Sequence, residues 1–170
     1  MAELDQALQP LRAEPGAPRW TPSSRWHVTL LFLGNVPAPQ LAPLVTGVAP
    51  AVADTPPMRL QVVGAGRFGS RRHPSVCWAG LAGDVAELMA LADRLTVVAR
   101  QLGLPVEDRP FRPHLTLGRW RPGRPADGDL PERLAGHAGP SWPVSEVVLR
   151  RSHLGPEPHY DRVAAWPLPS

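Results

Sequence analysis

His27-Val28-Thr29-Leu30 and His114-Leu115-Thr116-Leu117 are two copies of one short pattern, histidine–apolar–threonine–apolar, set half a chain apart. In an extended strand successive side chains alternate between faces, so each copy puts its histidine and threonine on one side and its apolar pair on the other. Val28/Leu30 and Leu115/Leu117 then lie against a core, and each strand offers one titratable group and one hydroxyl on its opposite face. With six histidines, six threonines and an apolar fraction of 43%, about 0.04 such matches are expected by chance in a chain of this length. A single copy would say little; the pair points to a site.

Such a pair suits the cleavage of a phosphodiester without a metal. One group must take a proton from the nucleophile and another must protonate the leaving oxygen, and histidine does either near neutral pH. Two hydroxyls, Thr29 and Thr116, can donate to the non-bridging oxygens, where charge has to be held during phosphoryl transfer. A lone strand histidine is more often a packing residue of intermediate burial, and the matched motifs reverse that weighting. Metal ligation is the next rival, but neither motif carries a second ligand two residues on, and no Asp, Glu or Cys cluster completes a set. Of the other histidines, His73, His153 and His159 read as surface-loop residues that could line a cleft, and His137 sits in a glycine-rich turn without a nameable partner.

Around the motifs, strands and helices are mixed without regular βαβ alternation, which predicts an antiparallel α+β class. Leu4, Leu8 and Leu11 outline a short N-terminal helix, and Arg25–Leu33 reads as a strand closed by Gly34-Asn35. Leu41, Leu44, Val45 and Val48 follow helical spacing, with Pro43 tolerable only near the first turn. Met58–Ala65 and Ser75–Leu81 are strand candidates, and the loop between them, Gly66–Pro74, holds Arg67, Arg71 and Arg72. Asp84–Leu102 gives the clearest helix, with a capping box of Asp84 and Glu87 and a stop at Gly103. His114–Trp120, Val144–Arg150 and Tyr160–Trp166 complete the strands. The two halves rhyme, each with one motif strand, a helical segment and neighbouring strands, and no linker divides them. One domain of two similar lobes over residues 1–170 is the expectation.

The formal net charge is +3, and all 18 basic residues are arginine. Arginine's planar fork suits phosphate oxygens and tilts the balance toward an anionic partner, although composition bias yields the same pattern. Cys77 is the one cysteine, so an intrachain disulfide and a cysteine metal cluster are both excluded. Met1–Glu14 lacks the basic start and apolar run of a signal peptide. No stretch approaches the ~20 apolar residues of a membrane span. A soluble cytoplasmic protein with no membrane association is expected.

At its motif residues the chain resembles the 2H phosphoesterase superfamily, and within it the LigT-like RNA 2′,3′-cyclic phosphodiesterases. The likeness covers most of the chain from Trp26 onward. Trp26-His27-Val28-Thr29-Leu30-Leu31-Phe32-Leu33-Gly34 is similar to the family's first motif, and Ser75-Val76-Cys77-Trp78-Ala79-Gly80 to its middle strand. Arg109-Pro110-Phe111-Arg112-Pro113-His114-Leu115-Thr116-Leu117 resembles the second motif with its Arg-Pro-Phe lead-in. The ending, Ser152-x-Leu154, Tyr160 and Trp166-Pro167-Leu168, also has the family's form.

The resemblance implies two lobes of antiparallel sheet with helices packed outside, related by a pseudo-two-fold axis, and a cleft between them holding both motifs. It implies opening of a terminal 2′,3′-cyclic phosphate on RNA to a 2′-phosphate, with neither metal nor cofactor. His27 would protonate the departing 3′ oxygen, His114 would activate the water, and Thr29 and Thr116 would hold the phosphate. The residues themselves fix the pair without saying which is acid and which is base. Arg112 and Arg119, which bracket the second motif, are candidate phosphate or RNA contacts. Phe111 and Phe68 are candidates to stack on a base, against the alternative of core packing.

The family's usual apolar first strand has no counterpart, since Glu3-Leu4-Asp5-Gln6-Ala7-Leu8 already reads as the first helix. An uncovered sheet edge invites pairing with another chain, so beside the expected monomer stands a strand-exchanged dimer. The expected partner is RNA with a cyclic-phosphate end, or a small cyclic nucleotide. Alternatives are 2′–5′ RNA ligation, opening of another cyclic nucleotide, and a non-catalytic RNA-end binding module.

Overall fold

The computed structural model describes residues 1–153, 155 and 159–169; Leu154 of the closing motif lies outside them. The described chain is α+β. Its elements are helix α1 (Ala2–Leu8), strand β1 (Arg19–Trp20), helix α2 (Ala38–Ala53), strands β2 (Arg59–Gly69) and β3 (Pro74–Gly83), helix α3 (Val85–Gln101), and strands β4 (Leu115–Arg119), β5 (Ala138–Pro143), β6 (Glu146–His153) and β7 (His159–Pro167). Short 3-10 turns occupy Gln9–Leu11, Ser23–Arg25 and Leu130–Leu134. Among the described residues no helix is long and apolar enough to cross a membrane.

The chain divides into two compact units. The first comprises Met1–Thr29, Leu60–Val85 and Arg112–Trp142, and the second Leu30–Arg59, Ala86–Phe111 and Pro143–Ser170. A five-stranded sheet of order β1-β4-β3-β2-β5 belongs to the first unit, and β6 and β7 pair in the second. Both sheets have antiparallel ladders.

In the first unit one face of the sheet is the core face. Cys77 and Ala79 of β3, Leu115 and Leu117 of β4, and Val62 of β2 pack there with Leu4, Leu8 and Leu11, as the N-terminal apolar spacing predicts. Leu130 and Leu134 of the 3-10 turn and Trp120 close the cluster. Arg67 ties the turn down, donating to Gly128 O (2.7 Å) and Glu132 Oε1 (2.6 Å). Arg71 pairs with Asp129 and holds that carboxyl below its ordinary range through their hydrogen bond and charge. Two of the three arginines read as a loop cluster are therefore engaged in structure.

In the second unit, α2 and α3 bury Leu44, Val48, Val52, Leu88, Leu91, Leu95 and Ala99. Arg94 joins the helices by donating to Thr55 Oγ1 at 2.7 Å and to Ala51 O at 3.2 Å. Helix α2 runs through both Pro43 and Pro50, so the expectation that Pro43 belongs to a first turn is corrected. An interior proline costs about 3 kcal/mol, which the burial of four apolar side chains offsets. Helix α3 stops as read. Gly103 has φ +69°, and Gly103 N–H and Leu104 N–H donate to the carbonyls of Arg100 and Ala99 at 2.9 and 3.0 Å, the paired bonds of a Schellman cap.

Three strand expectations change. Strands β2 and β3 extend further than Met58–Ala65 and Ser75–Leu81, so Arg67 is a strand residue and the loop shrinks to 70–73. Strands β1 and β5 carry no sequence signal of their own and form because β4 and β2 offer open edges. The strand expected over Arg25–Leu33 reduces to one bridge, Val28 to Leu115. Continuing that ladder requires an N–H at position 113, and Pro113 has none. Phe32, without such a neighbour, is 70% exposed.

Cys77 is fully buried between Arg67 of β2 and Gly118 of β4. Burial, helped by the charge of Glu132, pushes its thiol up to about 12. Since the unfolded thiol ionises at ~8.5, its stabilising effect is complete below that pH and is lost as pH rises toward the folded value. A disulfide-exchange reagent at pH 8 should leave the native thiol unmodified for hours and titrate one thiol per chain in denaturant. Rapid labelling of native protein would contradict this burial.

Candidate active site

The Val28–Leu115 bridge brings the two motifs together. In an antiparallel pairing each step forward on one strand is a step back on the other, so His27 falls opposite Thr116 and Thr29 opposite His114. All four alternate away from Leu115, which faces the core, and directly opposed side chains have Cβ atoms about 5 Å apart. Histidine and threonine therefore form a crossed quartet on one side of the sheet, within the first unit.

The route to this pairing is local. Strand β1 runs along β4 with Arg19 opposite Arg119 and Trp20 opposite Gly118, and Thr21 N–H continues it to Leu117 O at 2.8 Å. Pro22 and the 3-10 turn at Ser23–Arg25 then lift the chain off the edge. Trp26 Nε1–H donates to Thr21 O at 3.0 Å, clamping the base of the excursion and returning the chain at Val28.

Each histidine is oriented by its own segment. His27 Nδ1 lies 2.8 Å from Arg25 O, and His114 Nδ1 lies 2.6 Å from Arg112 O. A carbonyl can only accept, so Nδ1 carries the hydrogen in both neutral rings and Nε2 is the acceptor nitrogen. The two motifs match in sequence, in pairing and in this acceptor two residues upstream.

Aromatic packing fixes the second ring further. Phe68 meets His114 edge-to-face with centroids 5.0 Å apart, and its other neighbour is Trp78 at 5.7 Å. Trp78 stands opposite Thr116 on β3, and its Nε1 is buried with no hydrogen-bond partner among the described residues. Sequence reading placed Trp78 on a strand but gave it no role. The signal available was its place in strict alternation with Val76, on the face away from Cys77.

Arg119 reaches the same face by way of an irregularity. It lies five residues after His114, an odd spacing that in a regular strand sends it to the core side. Between Cys77 and Trp78 the β3–β4 register shifts, so that Thr116 faces Trp78 while Gly118 faces Cys77 and Arg119 faces Val76. This β-bulge resets the alternation. Arg119 is exposed on the histidine side, and Gly118 and Trp20 turn to the core. Arg112 is exposed and contributes its carbonyl to His114; its side chain forms no ion pair among the described residues. Phe68 joins the site by packing. Phe111 is half-buried and belongs to the second unit.

His27 and His114 gather no third His, Cys, Asp or Glu among the described residues. The one three-ligand cluster there is His153, His159 and Asp161 on the β6–β7 pair. The quartet itself offers two imidazoles and two hydroxyls.

A family model described as the 2′-5′ RNA ligase superfamily matches residues 2–156. An RNA 2′,3′-cyclic phosphodiesterase of Geobacillus stearothermophilus is 34% identical over 150 residues, 88% of this chain and 47% of the relative. The chain thus spans about half of that protein's length. One from Aeropyrum pernix is 30% identical over 145 residues, 84% of this chain and 81% of its own. Among solved structures, E. coli LigT complexed with 3′-AMP superposes with a TM-score of 0.75 at 27% identity, covering 100% of this chain and 94% of that one. A Thermus thermophilus structure gives 0.77 at 27% identity, covering 98% and 88%.

The position of Trp78 depends on a missing side chain across the ladder. Gly66 is its partner on β2, and a Cβ there would lie 2.3 Å from Trp78 Cζ2. Gly66→Ala should therefore cost about 1–3 kcal/mol by overpacking, read as a lower urea midpoint at unchanged m-value. An unchanged midpoint would mean that the indole does not cover Gly66.

Proposed function

We propose that this chain, which belongs to the 2′-5′ RNA ligase superfamily, opens terminal 2′,3′-cyclic phosphates on RNA to 2′-phosphates. The observation that carries the reading is the crossed quartet, with Nδ1 of each ring held by a backbone carbonyl. In this reaction His114 Nε2 takes a proton from water as the water oxygen attacks phosphorus. The P–O3′ bond breaks, and protonated His27 Nε2 supplies the proton to the departing 3′ oxygen. The new P–O bond replaces the old one, and the 2′ ester survives. The choice of acid and base follows the family resemblance, while the geometry supports the pair. Thr29 and Thr116 donate to the two non-bridging oxygens, whose charge has to be held throughout the transfer.

The names of the relatives support hydrolysis, and the family's description supports a second use of the same groups. With a ribose 5′-hydroxyl replacing water, identical proton transfers run the chemistry toward or away from a 2′–5′ linkage, so product analysis distinguishes the two. A monomer suffices, because all four residues come from one compact unit. The cytoplasm is the expected setting, in keeping with a single buried thiol.

Adenosine 2′,3′-cyclic phosphate in EDTA, followed by phosphorus NMR, should give the 2′-phosphate. His27→Ala and His114→Ala should each lower kcat by about 10²–10⁴ with the fold retained by circular dichroism. Full activity in both variants would overturn the assignment. The wild-type pH profile should be bell-shaped, since the base has to be neutral and the acid charged. His114→Ala should lose the acidic limb and His27→Ala the alkaline limb of the residual rate. Retention of both limbs in both variants would separate the titrations from these two residues.

A further inference from the structure

Arg19 and Arg119 are directly opposed on β1 and β4. Like charges in that relation are destabilising, as a rule, unless something of opposite charge sits between them. No carboxylate does so among the described residues. The nine ion pairs there engage Arg12, Arg67, Arg71, Arg100, Arg109, Arg133, Arg162 and His153, and neither Arg19 nor Arg119. Both side chains are exposed, while Trp20, the neighbour of Arg19, packs on the core.

The bulge decides which way the pair faces. Because Arg119 lies opposite Val76, and Val76 alternates with Cys77, both arginines rise from the face that carries His114 and Thr116. The row Arg19–Arg119–Val76–Phe68 crosses the sheet next to the row Thr116–Trp78–Gly66. On β3 the two rows are two residues apart, about 7 Å, which matches one nucleotide step of an extended backbone. Two adjacent guanidinium groups present parallel forks to a single phosphate and relieve their mutual repulsion by holding it.

We infer that Arg19, opposite Arg119, forms a second phosphate subsite that holds the internucleotide phosphate just upstream of the cyclic end. The inference rests on the RNA-end reading above and sharpens it. The preferred substrate is an oligonucleotide carrying a cyclic phosphate, and a mononucleotide fills only the quartet.

The test uses Arg19→Ala with three substrates: adenosine 2′,3′-cyclic phosphate, an ApA dinucleotide with the same cyclic end, and that dinucleotide with an uncharged methylphosphonate linkage. Arg19→Ala should leave kcat/KM on the mononucleotide unchanged and lower it about tenfold on the phosphodiester dinucleotide, chiefly through KM. The methylphosphonate should remove that difference between variant and wild type, and Arg19→Lys should recover part of the loss. Equal losses on all three substrates would make Arg19 structural, and no loss on the phosphodiester dinucleotide would remove the subsite; either overturns the inference. Should the wild type turn over none of them, the hydrolytic reading fails by itself. Anisotropy of a labelled oligonucleotide ending in a 2′-phosphate then decides the subsite: weaker binding by Arg19→Ala with a shallower salt dependence supports it, and equal affinity refutes it.

Discussion

One pair of backbone groups, the bridge between Val28 and Leu115, carries more of the site than any side chain does. Its register makes His27 face Thr116 and Thr29 face His114. A shift of one residue would turn both of the first motif's polar groups toward the core and its apolar residues outward. That bridge is isolated, bounded by the 3-10 turn on one side and by Pro113 across from the other. What holds it is the clamp of Trp26 on Thr21, the anchoring of β1 along β4, and the packing of Leu115 in a core whose members are nearly all fully buried.

The core face and the histidine-bearing face of the five-stranded sheet are two sides of one alternation. Cys77, Ala79, Leu115 and Leu117 settle the first, and Trp78, Thr116, His114 and Phe68 populate the second. Burial on one side thus supplies rigidity on the other, with the imidazole of His114 held between a carbonyl and an aromatic edge. The arginines divide by the same logic. Arg67 alternates onto the core side and is absorbed by Glu132 and Gly128, whereas Arg119 emerges beside the quartet.

Much of this was legible in the sequence, for identifiable reasons. The motifs could be read because histidine and threonine at spacing two are both rare and chemically paired. Helix α3 could be read to within a residue because its apolar stripe and Gly103 agree. The strand over Arg25–Leu33 was over-read, since β pattern reports what a segment could pair with and not whether a neighbour exists. Arg119 illustrates the converse: its proximity to His114 was legible, but its face was set by a bulge that depends on β3. Arg19 sits in a two-residue strand between Pro18 and Pro22, too short for any periodicity, and only the ladder to β4 reveals it. The unforeseen passage of α2 through Pro43 shows tertiary burial overriding a local cost.

Each imidazole leans on the carbonyl of the residue two places before it. In many enzymes the orienting acceptor comes from a distant segment and has to be preserved separately. Here histidine and acceptor travel together in a three-residue stretch, and any side chain can stand at the acceptor position because only its backbone is used. The proton-bearing nitrogen is consequently heritable as a short cassette, copied whenever the stretch is copied. Two such cassettes in one chain can diverge freely at Arg25 and Arg112 while both rings keep the same nitrogen on the backbone.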